Sequence, residues 1–127
     1  MNPVGVGIDL VYVPRLKRIY LEYKDKFLSR VFTEEEIAYA HSKKEPFYSL
    51  ASAFAVKEAF YKAVGGYSPF RLKEISLHRY RNQRHPELKL SGKALEVFKN
   101  LGGKKIYLSL SHDHNYAIAI VYLWGEG

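Results

Sequence analysis

The fold is decided by one stretch of the chain, Phe54-Ala55-Val56-Lys57-Glu58-Ala59-Phe60-Tyr61-Lys62-Ala63-Val64-Gly65. This stretch predicts a helix buried at the centre of the molecule, because a helix that is apolar on nearly all sides is normally covered by the rest of the protein. Its only charged side chains are Lys57, Glu58 and Lys62. Ionised groups are rarely buried without a partner, a metal or a ligand, so this helix is a candidate active-site wall.

Glu58 and Lys62 are four residues apart and therefore share one face of that helix. Ala51 and Ala55 lie on the same face, and their small side chains predict room for a ligand. A carboxylate and an ammonium beside such a surface suit a metal ion and a phosphate. The alternative is an ordinary ion pair on a solvated face, worth roughly 0.2–0.5 kcal/mol.

Two further segments place an isolated polar group in an apolar setting. Val4–Val11 is a β-branched, apolar run that contains one carboxylate, Asp9. Ser109-Leu110-Ser111-His112 ends a second strand-like run near the C-terminus. The alternative for Asp9 is a helix cap, and the alternative for His112 is an ordinary turn or edge residue. Zinc is not expected beside His112, because strand neighbours point to opposite sides and no third ligand is evident.

The remaining patterns predict an α+β fold, since a strand is followed by helices and then by strands with one helix between them. We expect one domain over residues 1–127, because no linker or repeat divides the chain. The predicted elements are a strand at 4–11, a helix opened by Pro14, a helix capped by Thr33 and Glu36 and running to about Ser42, a long helix from Pro46 to Gly65-Gly66, strands at 74–81 and 87–90, a helix from Ser91 to Gly102-Gly103, and a hairpin of strands 104–112 and 116–123.

Composition fits a globular protein, with 47% hydrophobic and 26% charged residues among 127. Cysteine is absent, which excludes disulfides and is consistent with a reducing compartment. No apolar run approaches the ~20 residues that span a bilayer. The N-terminal run lacks a basic leader and does not read as a signal peptide. We therefore expect a cytoplasmic protein without a membrane segment.

The formal net charge of +7 indicates an acidic or polyanionic partner. A basic segment at residues 79–85 and the 11 tyrosines would suit stacking on single-stranded nucleic acid. However, that segment surrounds a predicted turn and no RNA-binding motif is present. A nucleic-acid-binding module therefore stays as an alternative that we do not favour.

Three motifs together resemble the holo-[acyl-carrier-protein] synthase family, the small 4′-phosphopantetheinyl transferases. They are G-x-G-x-D at 5–9, F-A-x-K-E-A-x-x-K-A-x-G at 54–65 and S-x-S-H at 109–112. The resemblance covers nearly the whole chain. It implies an α+β fold with helices packed on a small antiparallel sheet, and a homotrimer that binds coenzyme A where two subunits meet. It also implies Mg²⁺-dependent transfer of 4′-phosphopantetheine from coenzyme A to a serine of acyl carrier protein, with release of 3′,5′-ADP.

The resemblance implies four catalytic residues, which are Asp9, Glu58, Lys62 and His112. Asp9 and Glu58 are the predicted Mg²⁺ ligands, because Mg²⁺ prefers oxygen and is often held by one or two carboxylates plus substrate phosphates. Lys62 is predicted to bind a phosphoryl oxygen. The proton of the serine goes to a metal-bound water, His112 or an acidic side chain, and the sequence does not choose among them.

The predicted coenzyme A contacts are Lys57, Lys62, Gly65, Ser111 and His112. For Lys57, the alternative is a side chain that extends to solvent.

Arg15 falls where the family has a basic residue facing the carrier protein.

A second enzymatic function is an alternative to transfer. It is a Mg²⁺-dependent hydrolase of a nucleotide diphosphate that uses the same carboxylates.

Three positions depart from the family pattern. Ala53 replaces an arginine that often holds the 3′-phosphate of coenzyme A, Gly65-Gly66-Tyr67 replaces a Gly-Thr-Gly, and Arg84-His85-Pro86 replaces a G-x-P turn. The basic residues that the sequence offers for the 3′-phosphate in place of residue 53 are Lys43, Lys44, Arg84 and His85.

Overall fold

The chain forms a long first strand, a central group of helices and a long C-terminal hairpin. The computed structural model describes residues 1–66, 69–80, 82 and 85–127. Within them the elements are β1 (Asn2–Tyr12), α1 (Val13–Tyr23), α2 (Asp25–Val31), α3 (Glu34–His41), α4 (Phe47–Ala63), a 3-10 turn (Leu72–Glu74), β2 (Ile75–His78), β3 (Glu87–Leu90), α5 (Gly92–Asn100), β4 (Gly103–Asp113) and β5 (Tyr116–Gly125).

The strands form two antiparallel sheets, one of three strands in the order β1-β5-β4 and one of the two strands β2 and β3. In the larger sheet Asp9 pairs with Ala119, which pairs with Leu110 on the other side. The predicted α+β class with helices packed on a small antiparallel sheet is confirmed. Among the described residues, no helix is both long enough and apolar enough to cross a bilayer.

Helix α4 packs on the inner face of the larger sheet, so closely that two glycines of β1 are required there. An added Cβ at Gly7 would lie 1.8 Å from the Ala59 carbonyl oxygen, and one at Gly5 would lie 2.1 Å from the Ala63 carbonyl oxygen. Ala51 and Ala55 are fully buried in the core. The prediction that these alanines leave room for a ligand is therefore wrong, because protein atoms already fill that space.

Gly7→Ala is expected to destabilise the protein severely, by about 3 kcal/mol or more, because the clashing atom belongs to the α4 backbone and cannot rotate away. The new methyl would push β1 off α4 and displace Asp9, two residues further on. Urea unfolding measures the loss. Gly66→Ala is a suitable control, since a Cβ there has only ordinary contacts although its φ of 77° makes it mildly strained. A Gly7→Ala protein as stable as this control would contradict the close approach.

Most predicted elements are present, but the segment between α1 and α3 differs from the prediction. The sequence predicted no helix there, whereas α2 spans Asp25–Val31 after a break at Lys24, whose φ is 46°. The strand predicted at 74–81 is shorter, since Leu72–Glu74 is a 3-10 turn and β2 spans Ile75–His78. Residue 81 lies outside the described part of the chain.

Candidate active site

Asp9 and Glu58 line one cavity of about 240 Å³, which we call the Asp9 cavity. Asp9 lies on the face of β1 that packs on α4, and Glu58 lies on α4 itself. The Lys62 ammonium is 3.0 Å from Asp9 Oδ1 and donates to the Ile8 carbonyl oxygen, also at 3.0 Å. The structure therefore brings together the three charged residues predicted from β1 and α4.

The ion pair of Lys62 is made with Asp9 and not, among the described residues, with Glu58. The alternative of an ordinary pair between residues four apart on α4 is therefore not what the structure contains. Glu58 accepts no hydrogen bond from a described residue, and only Lys62 offsets its charge. Burial, and after it the negative charge of Asp9, raise the pKa of Glu58, while Lys62 opposes this rise.

The two carboxylates fit a hard divalent cation. Their mutual repulsion is relieved when a cation binds between them, and oxygen ligands are those that Mg²⁺ prefers. No group of three His, Asp or Glu side chains with metal-binding geometry occurs in the described part of the chain. A site with two protein ligands suits Mg²⁺, which takes further ligands from substrate phosphates and water, better than zinc, which takes three or four.

Glu58→Gln is expected to raise the melting temperature of the metal-free protein at neutral pH. Because the pKa of Glu58 is raised on folding, stability that is present below the unfolded pKa is lost as the pH rises through the folded pKa. Glutamine does not ionise, so the variant does not suffer this loss. Thermal unfolding in EDTA should show the difference at neutral pH and none below about pH 4. A variant that melts below the wild type at neutral pH would contradict this electrostatic strain.

His112 and Ser111 lie near the end of β4, which is separated from β1 by β5. His112 pairs with Ala117 and Ser111 with Ile118, so the two side chains point to opposite faces of the sheet. The His112 ring is 5.1 Å from the Tyr48 ring, centroid to centroid. Both residues line a second cavity, of about 380 Å³, which also contains Arg79 and which we call the Arg79 cleft. Within one chain, His112 and the two carboxylates therefore line different cavities.

Lys57 does not reach either cavity. Its ammonium is fully buried, lies 2.7 Å from Glu36 Oε1, and donates to the carbonyl oxygens of Leu72 (3.0 Å) and Ile75. Burial lowers the pKa of Lys57, and the adjacent Glu36 opposes this effect. The predicted contact with coenzyme A and its alternative, an extension to solvent, both require an accessible ammonium, so Lys57 is removed from the proposed site.

Arg15 and Gly65 lie where the sequence placed them. Arg15 is exposed on α1, lines the Asp9 cavity, and its guanidinium carbon is 5.8 Å from the centre of the Tyr12 ring. Gly65 follows the last turn of α4 with a φ of 102° and donates to the Lys62 carbonyl oxygen at 3.0 Å. Their predicted roles, contact with the carrier protein and with coenzyme A, stay predictions.

Arg79 lines the second cavity, but the sequence did not single it out, since it appeared there only as part of a basic segment. Its guanidinium stacks on Tyr39 instead of extending from an open surface. No spacing in the sequence indicates this, because Tyr39 is 40 positions away. Residues 81, 83 and 84 of the same segment, and Tyr67 of the predicted glycine loop, lie outside the described residues.

Comparison with known proteins gives consistent matches over most of the chain. The matching family model is described as the 4′-phosphopantetheinyl transferase superfamily, and it matches residues 5–121. The holo-[acyl-carrier-protein] synthase of Thermodesulfovibrio yellowstonii is 44% identical over 119 residues, covering 94% of this chain and 96% of the relative.

Solved structures agree with the sequence matches. The synthase of Neisseria meningitidis superposes with a TM-score of 0.84 at 27% identity, covering 98% of this chain and 99% of that one. The synthase of Helicobacter pylori, solved in complex with coenzyme A, superposes with a TM-score of 0.80 at 29% identity, covering 94% and 99%.

Proposed function

The chain belongs to the 4′-phosphopantetheinyl transferase superfamily, and from that membership we propose that it is a holo-[acyl-carrier-protein] synthase. The resemblance carried by the three sequence motifs is thereby confirmed. The enzyme moves the 4′-phosphopantetheine group of coenzyme A onto a serine of apo acyl carrier protein. The protein's excess of basic residues suits both substrates, since coenzyme A is polyanionic and carrier proteins of this kind are acidic.

In this reaction the serine oxygen forms a bond to the β-phosphorus of coenzyme A. The bond from that phosphorus to the bridging oxygen breaks, 3′,5′-ADP leaves with the oxygen, and the serine proton passes to a base. Phosphoryl transfer asks little covalent chemistry of the protein, so its residues act by positioning and by neutralising charge. Lys62, whose side chain is 54% exposed beside Asp9, is placed to bind a phosphoryl oxygen.

Asp9 and Glu58 are the residues that would hold Mg²⁺. Bound by these residues, Mg²⁺ would supply positive charge to offset the charge of the diphosphate and the leaving group. The observation that carries the proposal is the convergence of these two carboxylates, from β1 and α4, on one cavity. Glu58 has no hydrogen-bond partner among the described residues, and burial, followed by the negative charge of Asp9, raises its pKa.

One incubation tests the function. The protein is mixed with coenzyme A, Mg²⁺ and apo acyl carrier protein, and the carrier is measured by intact mass spectrometry. We expect a gain of one phosphopantetheine group, lost when EDTA replaces Mg²⁺. Release of 3′,5′-ADP with an unmodified carrier would instead indicate the hydrolase. Tight single-strand binding with a steep salt dependence, insensitive to coenzyme A, would indicate the nucleic-acid module.

We also propose a homotrimer, located in the cytoplasm, with coenzyme A bound where two subunits meet. Support comes from the face of the larger sheet that points away from α4. Its central side chains are apolar yet exposed: Val6 55%, Ile8 55%, Leu10 60%, Tyr107 54% and Ile120 39%. Contiguous exposed apolar patches on this scale mark interaction sites.

This apolar face continues to the predicted coenzyme A contacts. Leu10 pairs with Ile118, which pairs with Ser111, so one cross-strand row runs from the apolar face to Ser111. Because His112 and the carboxylates of one chain line different cavities, a neighbouring copy is the natural source of the second half of the site. In a closed ring of three copies, the same interface repeats between each pair of neighbours, so every chain receives the second half of its site from the next copy.

Ile8→Lys is expected to break the assembly, because it places a charge opposite Ile120 in the centre of the apolar face. Light scattering should give three times the 14.7 kDa chain mass for the wild type and a smaller mass for the variant. Leu21→Lys is the matched control, since Leu21 is equally exposed, at 55%, but lies on α1. A monomeric wild type would overturn the trimer.

A further inference from the structure

The His112 imidazole is exposed, and one neighbouring ring limits its orientation. His112 lies on β4, an outer strand of the larger sheet, and pairs with Ala117 of β5. No described residue makes a hydrogen bond to its ring nitrogens. An exposed side chain of this kind would otherwise occupy several staggered rotamers. The Tyr48 ring, 5.1 Å away between centroids and inclined by 34°, therefore selects among them.

Tyr48 is itself held at both of its ends. At the start of α4, the backbone N–H groups of Phe47 and Tyr48 donate to the Glu45 carboxylate. At the other end of the side chain, the Tyr48 hydroxyl donates to the carbonyl oxygen of His114, in the turn between β4 and β5. The half-buried Tyr48 side chain therefore connects the first turn of α4 to the hairpin turn that follows His112.

The hairpin turn gives Tyr48 a fixed anchor. His114 has a φ of 54°, in the left-handed region that a residue other than glycine rarely adopts. The next carbonyl, that of Asn115, accepts the Val13 N–H at 2.7 Å, at the start of α1. Contacts from α1 and from α4 thus hold the turn on two sides. The sheet and the turn fix the backbone at His112, which leaves the direction of its imidazole to the Tyr48 ring.

We propose that Tyr48 is a positioning residue for the transfer reaction, because it holds the His112 imidazole in one orientation through ring contact. This inference rests on the proposed function, in which His112 contacts coenzyme A or accepts the serine proton. The imidazole keeps one nitrogen that can accept and one that can donate, since no described residue uses either. Tyr48 gives its own hydroxyl proton to the His114 carbonyl. Its effect on the reaction therefore passes through His112.

Two substitutions at Tyr48 separate its ring from its hydroxyl. Tyr48→Leu removes both and should lower kcat/KM for coenzyme A by roughly 3- to 10-fold, the range expected for the loss of an aromatic pair. Tyr48→Phe keeps the ring and should retain at least about half of the wild-type value. A loss in Tyr48→Phe as large as that in Tyr48→Leu would overturn the proposal, because the hydroxyl and not the ring would then carry the effect.

A double-mutant cycle with His112→Ala tests whether the effect passes through the imidazole. Once His112 is replaced, adding Tyr48→Leu should change kcat/KM by less than about twofold, because the ring has no imidazole left to orient. If Tyr48→Leu lowers kcat/KM by the same factor with and without His112, Tyr48 only supports the fold and the proposal fails. It fails equally if His112→Ala transfers as well as the wild type.

Proton NMR of the histidine rings measures the orientation without any reaction. The Tyr48 ring current should shift the His112 ring-proton signals, and this shift should persist in Tyr48→Phe and disappear in Tyr48→Leu. Tyr80→Leu is the matched control, since the Tyr80 and His78 rings are 6.1 Å apart and also inclined by 34°. It should move the His78 signals and leave those of His112 in place. His112 signals that are the same in the wild type and in Tyr48→Leu would contradict the proposed contact.

Calorimetric binding of coenzyme A separates a failure of the positioning role from a failure of the proposed function. If the carrier is not modified, but Tyr48→Leu weakens coenzyme A binding only while His112 is present, the positioning role stands and the transfer function fails. If the cycle shows no coupling in the Kd for coenzyme A or in kcat/KM, the positioning role is overturned, whether or not the carrier is modified.

Discussion

Glu58→Gln and Asp9→Asn are each expected to reduce transfer by roughly 10³-fold or more while the protein stays folded. Both changes keep the shape of the side chain and remove its charge. A divalent cation on a diphosphate contributes several kcal/mol to the stabilisation of the transition state, and each 1.4 kcal/mol is tenfold in rate. The loss should appear in kcat/KM in the mass-spectrometric transfer assay, and increasing Mg²⁺ should recover part of it.

The two variants differ in a way that identifies the cause. Asp9→Asn removes the partner of Lys62, which is 3.0 Å away, whereas Glu58→Gln leaves that ion pair intact. A similar loss in both variants would therefore point to the shared cation and not to Lys62. Glu96→Gln, on the exposed side of α5, is the matched control and should retain full activity. Turnover near the wild-type value in either site variant would count decisively against the metal assignment.

The sequence predicted the parts of the fold that depend on local signals. The capping box of α3 is present, with Glu36 accepting the Thr33 N–H at 2.9 Å and Thr33 accepting the Glu36 N–H. The C-terminal hairpin turns at His114 and Asn115, inside the predicted turn. Such signals lie within a few residues of one another. Helix α2 was missed because its seven residues are too few to show a helical period.

In the candidate site, the contacts between distant segments likewise could not be predicted from local signals. The convergence of Asp9 and Glu58 on one cavity followed from the family resemblance and not from any spacing. The alternative considered for Lys62 paired it with Glu58 on its own helix, whereas β1 approaches α4 through Gly5 and Gly7 and supplies Asp9 as the partner. Three-dimensional packing sets these contacts. A charged residue on an apolar helix indicates that a partner exists, without saying where in the sequence it lies.

Lys57 is the clearest example of a charged residue whose partner lies elsewhere in the sequence, because it pairs with Glu36. Glu36→Gln is expected to destabilise the protein by about 3–5 kcal/mol, because it leaves the fully buried Lys57 ammonium without a counter-charge. Since domains of this size are stable by only about 5–15 kcal/mol, much of the variant should unfold under mild denaturation. Urea unfolding followed by circular dichroism measures the loss.

A matched control separates the buried charge from the helix cap. Glu34→Gln changes an exposed glutamate on the same helix and should cost less than about 0.5 kcal/mol. Thr33→Ala removes only the capping hydroxyl and should cost about 1 kcal/mol. Lys57→Met combined with Glu36→Gln should recover much of the stability, because no unpaired charge then stays in the core.

The same pair has a consequence for the active site. Glu36 also accepts the Leu77 N–H of β2 at 2.8 Å, so Lys57 ties α4 to α3 and to the smaller sheet at once. Glu58 follows Lys57 in the chain and points about 100° away around the helix. Holding Lys57 on one side of α4 therefore keeps Glu58 turned toward the Asp9 cavity. A folded Glu36→Gln protein with wild-type stability and unchanged affinity for Mg²⁺ would refute this coupling, whereas weakened Mg²⁺ binding that the double variant does not restore would support it.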